Sequence, residues 1–305
     1  METPVLIITF NRPEYVRVLI EALKKNDVRN LFVFKDGPRP NNQEDYIASK
    51  KIEEVISHID WDCNVTINYM QNNLGCGYGP YSAISWAFQY VDELIILEDD
   101  CIPTNAFFEF CTEMLKRYKN EERISVISGR SQLNLPKVFL ENDYIFTQYA
   151  PTWGWATWKR VWDNFDIQLR NVKAIVESNK FKGVFSSREQ EKFFTRRFYR
   201  DIKDPYIHTH IWDNQFGYHS RINGALRITP SKNLIKYIGL EGTHSNSSTD
   251  FFADISVDDS FIVKKHPHKI SIIKEYDELY FKKFVFSPLS LSERIISKII
   301  KLIAH

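Results

Sequence analysis

The sequence of 305 residues lacks several features that identify common protein classes. Its four cysteines form no CxxC pair and are too few for a disulfide framework in a chain of this length. No run approaches the ~18 apolar residues needed to span a bilayer, and the first residues lack the basic and long apolar segments of a secretion signal. The formal net charge is only +1, which does not favour a nucleic-acid partner. These absences predict a cytoplasmic protein.

The glycine-rich stretch "NNLGCGYGP" lacks the marks of the common nucleotide-binding loops. No lysine follows it, as a Walker loop requires, and its spacing does not match the Rossmann fingerprint. The stretch therefore predicts a tight turn, with a helix beginning at Pro80. The chain also shows no internal repeat and no low-complexity segment.

Apolar segments alternate in type over roughly the first 130 residues. Short apolar runs at 5–10, 31–34, 94–97 and 124–127 predict strands, and segments with one apolar face between them predict helices. Strands that are apolar throughout are covered on both faces. We therefore predict an α/β fold, with a mixed and mostly parallel central sheet and helices on both sides.

The pattern becomes irregular after about residue 130. An aromatic segment, "YAPTWGWATW", predicts a loop; mixed helices follow to about 222, and "ALRITP" predicts a strand. No flexible linker separates the halves. We therefore expect one domain with two halves, residues 1–130 and residues 131–280, the second of α+β type. Residues 281–305 form a separate tail.

Polar side chains follow three of the predicted strands. They are Asn11 and Arg12 after the first, Asp36 and Gly37 after the second, and the acidic triplet Glu98, Asp99 and Asp100 after "LIIL". Because ligands in parallel α/β folds bind outside the carboxyl ends of the strands, we expect these residues to meet in one crevice. Adjacent carboxylates suit a hard cation, Mn²⁺ or Mg²⁺, held together with substrate phosphates. The alternative is an exposed acidic turn without a ligand.

The ordered set "ITFNRP", "KDGP", "NNLGCGYG" and "IILEDD" resembles GT-A-fold glycosyltransferases. The acidic triplet is similar to the DXD-type element in the Glu-Asp-Asp version found in relatives of N-acetylglucosaminyltransferase I. The later "APTWGWATWKRVW", "WDNQ" and "NLIKYIGLEGTH" resemble bacterial surface-polysaccharide glycosyltransferases, so the likeness covers roughly residues 3–246. The resemblance implies a Rossmann-like GT-A fold and a nucleotide-sugar donor, with a UDP-sugar favoured. It also implies a hydroxyl acceptor on a glycan or lipid-linked saccharide, with the donor bound by residues 1–130 and the acceptor by residues 131–280.

The resemblance also assigns roles to individual residues. It implies that Asp100 binds the metal and that Asp99 and Glu98 lie near the ribose and the donor sugar. Asp36 is either a uracil contact or a turn residue before Gly37. The resemblance places the following residues at the nucleotide: Thr9, Asn11, Arg12, Asn73 and Gly75.

Transfer with inversion requires a carboxylate that accepts the proton of the acceptor hydroxyl. Asp213 in "HIWDNQ" is the candidate base, and the alternative is a helix-capping aspartate. Asp163, Asp166 and Glu241 are held in reserve. His244 in "GLEGTHSN" is a candidate metal ligand, with a polar surface role as its alternative.

Three tryptophans, Trp153, Trp155 and Trp158, fall in the predicted aromatic loop. Indole rings stack on sugars, but they also close interfaces between halves of a domain. We expect Trp153 and Gly154 to line the donor or acceptor site.

The tail carries a capping box at Ser290 and Glu293, an isoleucine face and several lysines. It predicts a helix that lies on the inner face of the cell membrane through residues 282–305, or one that docks on the core or a partner. The sequence favours a metal-dependent, inverting glycosyltransferase. Two alternatives stay open: a sugar-nucleotide pyrophosphorylase, and a non-catalytic module that binds a nucleotide-sugar or glycan.

Overall fold

The computed structural model describes residues 1–133, 135–170, 174, 177–178, 184–201, 203, 211–239 and 255–286. The strands in this part of the chain are β1 (Val5–Thr9), β2 (Asn30–Lys35), β3 (Asn64–Tyr69), β4 (Glu93–Glu98), β5 (Cys101–Pro103), β6 (Ile124–Ser128), β7 (Tyr144–Thr147), β8 (Trp155–Trp158), β9 (Leu226–Pro230) and β10 (Ile235–Tyr237). The α-helices are α1 (Pro13–Lys25), α2 (Gln43–Ser57), α3 (Gly75–Ala87), α4 (Asn105–Arg117), α5 (Lys159–Trp162), α6 (Arg188–Asp201), α7 (Asp213–Ile222) and α8 (Lys274–Tyr280). A 3₁₀ turn covers Pro136–Phe139, and a π-helical turn covers Phe281–Val285.

The main sheet has the strand order β3-β2-β1-β4-β8-β6-β9-β7. Strands β3, β2, β1 and β4 are parallel, and β6 is parallel to β9. Strand β8 runs antiparallel to both β4 and β6, and β7 runs antiparallel to β9. The sheet is therefore mixed and mostly parallel, as predicted. Because β8 lies between β4 and β6, the two predicted halves share one sheet.

Alternate residues of the buried strands face two separate cores. On β1, Val5 and Ile7 pack with the apolar faces of α1, α2 and α4, whereas Leu6 and Ile8 pack with α3 and α7. This alternation is the consequence of the two-residue period of a strand. Helices on both faces confirm the predicted α/β fold, which agrees with a Rossmann-like GT-A arrangement.

The aromatic segment was predicted as a loop, and this is wrong for Trp155–Trp158. These residues form β8, which lies inside the sheet and is buried along its whole length. A strand of four residues is too short to show an alternating pattern, and its two tryptophans resemble the aromatic loop that precedes it. Residues before Trp155 do form a loop.

Helix α3 begins at Gly75, five residues before the predicted start at Pro80. The carboxylate of Asp36 accepts hydrogen bonds at the start of this helix, and Pro80 lies inside it. At the other end of the described chain, Phe281 is buried against the aromatic cluster of the second half. The first residues of the predicted tail therefore pack on the fold, and 287–305 lie outside the described residues. No helix in the described ranges is long and apolar enough to cross a membrane.

Candidate functional site

The carboxyl ends of β1 and β4 meet through Arg12. Its Nη1 lies 2.9 Å from Oδ2 of Asp100, and its Nη2 donates a hydrogen bond to Oδ1 of Asp99. Arg12 directly precedes α1, so a single guanidinium joins the first helix to the end of the central strand. The structure thus brings Arg12 and the acidic triplet together, as the strand-end argument predicted.

The acidic triplet is held in an unfavourable electrostatic state. Burial, together with the charges of Asp100 and Asp99, raises the pKa of Glu98 to about 8. Burial also raises the pKa of Asp99 to about 7, although Arg12 acts in the opposite direction. Burial acts to lower the pKa of Arg12, but the two aspartates outweigh it and the pKa is raised. Arg12 thus contacts Asp99 and Asp100, and Glu98 holds its proton into the neutral pH range.

Asp36, after β2, is engaged by the loop that leads into α3. Its Oδ1 accepts hydrogen bonds from the backbone N–H groups of Gly37 and Leu74, both at 2.8 Å. Its Oδ2 accepts from the N–H of Gly75 at 3.1 Å and from Nδ2 of Asn73 at 3.0 Å. These four bonds use the usual acceptor sites of a carboxylate. Asp36 thus stabilises the start of α3, a role that the sequence did not indicate. A uracil contact stays a prediction.

Thr9 and Asn11 direct their polar groups into the scaffold. The Thr9 hydroxyl donates to the carbonyl oxygen of Phe34 at 3.3 Å, and Thr9 is buried. Asn11 Nδ2 donates to Oδ1 of Asp45 at 2.9 Å, which ties the end of β1 to α2. Their contribution to a nucleotide pocket stays a prediction.

The chain returns to the acidic triplet late in the sequence. Strand β10 pairs with β5 in a two-stranded antiparallel ribbon, and the N–H of Ile238 donates to the carbonyl oxygen of Asp100 at 2.9 Å. A Cβ at Gly239 would lie 2.6 Å from Oδ2 of Asp100, so only glycine lets the backbone pass this close to the carboxylate. His244, the predicted late metal ligand, lies outside the described residues.

The carboxylates fit a divalent cation that is completed by a ligand. Asp99 and Asp100 offer hard oxygen donors, and Oδ2 of Asp99 is buried without a hydrogen-bond partner among the described residues. No group of three protein ligands occurs in the described part of the chain. Mg²⁺ is commonly held by one or two carboxylates with substrate phosphates, so such a site would need the donor diphosphate to complete it.

Trp153 borders the crevice, whereas the two tryptophans of β8 do not. The Trp153 ring stacks on Tyr237, with ring centroids 5.1 Å apart. Trp155 and Trp158 are buried, and Trp155 packs on Trp212. Gly154 is also buried: it has a φ of +69°, and a Cβ there would clash with Ile235. Trp153 is therefore the one of these four that is placed to meet a ligand, while Gly154 serves the close packing of the loop.

Asp213 is the first residue of α7 and faces a recessed cavity. Asp213 is exposed to solvent, but only within this cavity. The surrounding protein partly desolvates its carboxylate, which raises its pKa. Its Oδ1 accepts the N–H of Asn214 at 2.8 Å, which is part of the capping role. Asp213 and Glu98 repel each other enough to raise the pKa of Glu98. The candidate base and the acidic triplet therefore lie within electrostatic range of one another.

The thiol of Cys76, at the start of α3, lies among these acids. Burial raises its pKa, and the carboxylates of Asp213 and Glu98 raise it further. The sequence argument did not single out Cys76 or Tyr237. The glycine-rich loop that contains Cys76 could have identified the first, but no sequence signal identifies Tyr237 as a neighbour of Trp153.

Two of the three acids that are alternatives to Asp213 form ion pairs. Asp163 pairs with Lys159 at 3.3 Å, and Asp166 pairs with Arg170 at 2.9 Å. Glu241 lies outside the described residues. Asp166 lines a different cavity from the one that Asp213 faces. Asp213 therefore remains the candidate base.

Comparison with known proteins gives distant structural likenesses only. No family model and no curated protein matches the sequence. Glucosyl-3-phosphoglycerate synthase from Mycobacterium tuberculosis, solved with Mn²⁺, uridine-diphosphate-glucose and phosphoglyceric acid, aligns with a TM-score of 0.30 and 12% identity over 52% of this chain and 58% of its own. A UDP-glucose pyrophosphorylase complexed with UDP-glucose aligns with a TM-score of 0.29 and 10% identity, over 49% and 64%.

Mouse xyloside xylosyltransferase 1 in its apo form gives a TM-score of 0.32 and 11% identity, over 72% of this chain and 80% of its own. The alignment spans less than two thirds of the synthase and of the pyrophosphorylase. Likenesses this distant assign no activity, so a functional proposal has to rest on the site itself.

Proposed function

We propose that this protein is a metal-dependent glycosyltransferase of the inverting type. It would transfer a sugar from a nucleotide diphosphate-sugar, with a UDP-sugar favoured, to a hydroxyl of a glycan or lipid-linked saccharide. One observation carries the proposal. Arg12, after β1, bonds to Asp99 and Asp100 at the end of β4, and Asp213 at the start of α7 lies close enough for its charge to contribute to the raised pKa of Glu98. Substrates of parallel α/β folds bind at this edge of the sheet.

Asp213 would be the general base. Burial raises its pKa, which strengthens it as a proton acceptor. The O–H bond of the acceptor breaks and its proton passes to Asp213, while the acceptor oxygen bonds to the anomeric carbon. The bond from that carbon to the nucleotide diphosphate breaks, and the diphosphate leaves with the electron pair. The Asn214 N–H that Asp213 accepts fixes the orientation of the carboxylate.

Asp100 and Asp99 would hold a divalent cation together with the donor phosphates, and the cation would stabilise the charge of the departing diphosphate. Glu98 and Asp99 would also accept hydrogen bonds from the ribose and the donor sugar. The Trp153 ring, supported by Tyr237, would present an aromatic surface to a sugar. A lipid-linked acceptor would agree with the predicted membrane contact of the tail beyond residue 286.

The test combines donor binding and donor turnover. Calorimetry with UDP-, GDP- and CMP-sugars, with and without Mn²⁺, should show metal-dependent binding of one nucleotide class. A hydrolysis screen over the same donors should show turnover. Asp100→Ala should abolish that turnover, whereas Asp163→Ala should not, because Asp163 lies in an exposed ion pair.

The same assays separate the alternatives. A pyrophosphorylase would release a nucleoside triphosphate from the sugar nucleotide when pyrophosphate is added. A non-catalytic module would bind the donor without turning it over. Either result would overturn the proposed transfer, as would donor turnover that survives in Asp100→Ala.

A further inference from the structure

A cavity of about 350 Å³ adjoins Asp213 on the acceptor side of the crevice. One face of α7 lines it, because Asp213, Gly217 and Arg221 follow one another at intervals of four residues. Arg197 of α6 and Arg227 of β9 complete its charged wall. Three arginines therefore converge on a cavity that opens beside the candidate base.

The guanidinium groups approach one another closely. A point at the Cβ position of Gly217 lies 2.8 Å from Nη1 of Arg221 and 3.8 Å from Nη2 of Arg227. Any side chain at Gly217 would occupy this point, so glycine keeps the cavity open. Burial, together with the neighbouring charge of Arg221, lowers the pKa of Arg227 to about 9. These like charges lie together at a cost in stability.

Arg221 presents its edges to the cavity. Its guanidinium carbon lies 4.5 Å from the Phe194 ring centroid and 5.1 Å from that of Tyr149. Aromatic rings occupy its faces, and no carboxylate among the described residues lies within ion-pair distance of Arg221 or Arg227. Its buried Nε has no hydrogen-bond partner in the described ranges. A guanidinium held this way is ready to donate along its edge.

The nearby acids do not neutralise this wall. Asp201 lies 3.6 Å from Arg197, but it also pairs with Arg200 and accepts the Tyr218 hydroxyl. Asp277 is fully buried, and burial raises its pKa to about 7. Its oxygens accept from Thr147 and the N–H of Gln148. Apart from Asp213 itself, these acids are already engaged, so the cavity keeps an excess of positive charge.

We propose that this cavity binds an oxyanion, a phosphate or carboxylate, carried by the acceptor. This inference rests on the proposed transfer and names the acceptor class: an anionic saccharide or saccharide phosphate. Arg221 would form paired hydrogen bonds with two oxygens of the anion, assisted by Arg227 and Arg197. The Arg221 guanidinium reaches back to Gly217, which is four residues, or about 6 Å along the helix, from Asp213. The anion would therefore lie about one helical turn from the reacting hydroxyl, with part of the acceptor between them.

The test is a calorimetric titration of the full chain with methyl phosphate and, separately, with glucuronate. No divalent cation or donor is present, so the acidic triplet repels anions from the donor side. At least one anion should bind saturably, and Arg221→Gln should weaken it by about tenfold or more. The control Arg123→Gln should leave affinity unchanged, because Arg123 is exposed and pairs with Glu121. The anion that binds identifies the acceptor as a phosphate or an acidic sugar.

A second variant protects the test against misfolding. If circular dichroism shows that Arg221→Gln does not fold, Arg197→Gln takes its place. Arg197 is partly exposed, so this variant should fold and should show the same weakening of anion binding. Saturable binding of neither anion overturns the proposal, as does equal affinity in wild type and the arginine variants. Because the titration contains no donor, its failure leaves the proposed transferase standing. Absence of donor turnover, with anion binding retained, overturns the transferase and the assignment of the anion to an acceptor, and leaves the anion site itself standing.

Discussion

Arg12 and Asp100 lie 88 positions apart in the chain and are joined by a hydrogen bond of 2.9 Å from Nη1 to Oδ2. The bond links the segment after β1 to the segment after β4. Because Arg12 also contacts Asp99, it is the cation that the protein itself supplies to its acidic motif. A sugar-nucleotide complex would add a second cation to the same carboxylates.

Replacement of Arg12 should therefore destabilise the site more at high pH than at low pH. Arg12→Gln should lower the free energy of unfolding by about 1–3 kcal/mol at pH 8, because buried carboxylates lose their charged partner. At pH 5 the loss should be smaller, since Glu98 and Asp99 are then protonated. Denaturant titrations at the two pH values measure the difference.

The matched control is Arg17→Gln on the same helix. Arg17 is exposed and pairs with the exposed Glu14 at 3.6 Å, so its removal should change stability by less than about 0.5 kcal/mol. An equal loss at pH 5 and pH 8 for Arg12→Gln would mean that Arg12 acts through packing and not through charge.

Glu98 should make the protein less stable as the pH rises. The pKa values of Glu98 and Asp99 in the folded state, about 8 and about 7, lie above those of the unfolded chain near 4. The folded state therefore holds protons that the unfolded state has released, and stability falls as the pH rises from about 4 through about 8. Glu98→Gln should raise Tm at pH 8 by about 2–4 °C for each ~1 kcal/mol gained.

Thermal melts in a chelator from pH 5 to 8.5 would measure this. Glu14→Gln, at an exposed position on α1, is the control and should follow the wild-type curve. If the Glu98→Gln curve has the wild-type slope, Glu98 is already ionised at neutral pH and is not the cause of the loss of stability.

The sheet and the strand-end crevice could be predicted from sequence because both depend on local patterns. Apolar runs such as Leu94–Leu97 mark buried strands, and the polar residues that follow them must reach one edge of a parallel sheet. The Arg12 contact with the acidic triplet is the outcome of that rule. It required no knowledge of long-range packing.

The rest depends on pairing that the sequence does not encode locally. The sequence of β8 alone predicts an aromatic loop, because its strand conformation depends on pairing with β4 and β6. Three of the four hydrogen bonds to Asp36 come from residues more than 30 positions away, so the local sequence around Asp36 and Gly37 gives no sign that Asp36 stabilises α3. The arginine cavity is assembled from three elements, and only the spacing of Asp213, Gly217 and Arg221 on α7 could have hinted at it.

Asp36→Asn should destabilise the protein and weaken donor binding together. An amide offers one acceptor oxygen where the carboxylate offers two, so two loop donors lose their partner at a cost of about 1–3 kcal/mol. Thermal melts and donor calorimetry measure the two effects. If donor affinity falls while Tm is unchanged, Asp36 contacts the nucleotide directly, as the uracil hypothesis requires.

Asp213 should control how transfer depends on pH. Only the ionised carboxylate accepts a proton, and its pKa is raised by burial, so the rate should climb with pH above the usual titration range of an aspartate. Asp213→Asn should retain donor binding and lower transfer by about 10²–10⁴-fold. A coupled assay of nucleotide release from pH 5 to 9 provides the profile. Transfer at the wild-type rate in Asp213→Asn would contradict the assignment.

The packing under α7 should matter for transfer more than for donor binding. Phe216 is fully buried beside the face that lines the cavity and contacts Trp155, Trp162 and Phe165, with ring centroids 5.2–5.6 Å apart. Phe216→Ala should lower the free energy of unfolding by about 3–5 kcal/mol. It should also loosen the helix that carries Asp213. Leu140→Ala, at a position that is 73% exposed, is the control and should be near neutral. Denaturant titration, donor calorimetry and the transfer assay on both variants measure these effects. If donor affinity falls as far as the rate of transfer, α7 supports the donor side as well.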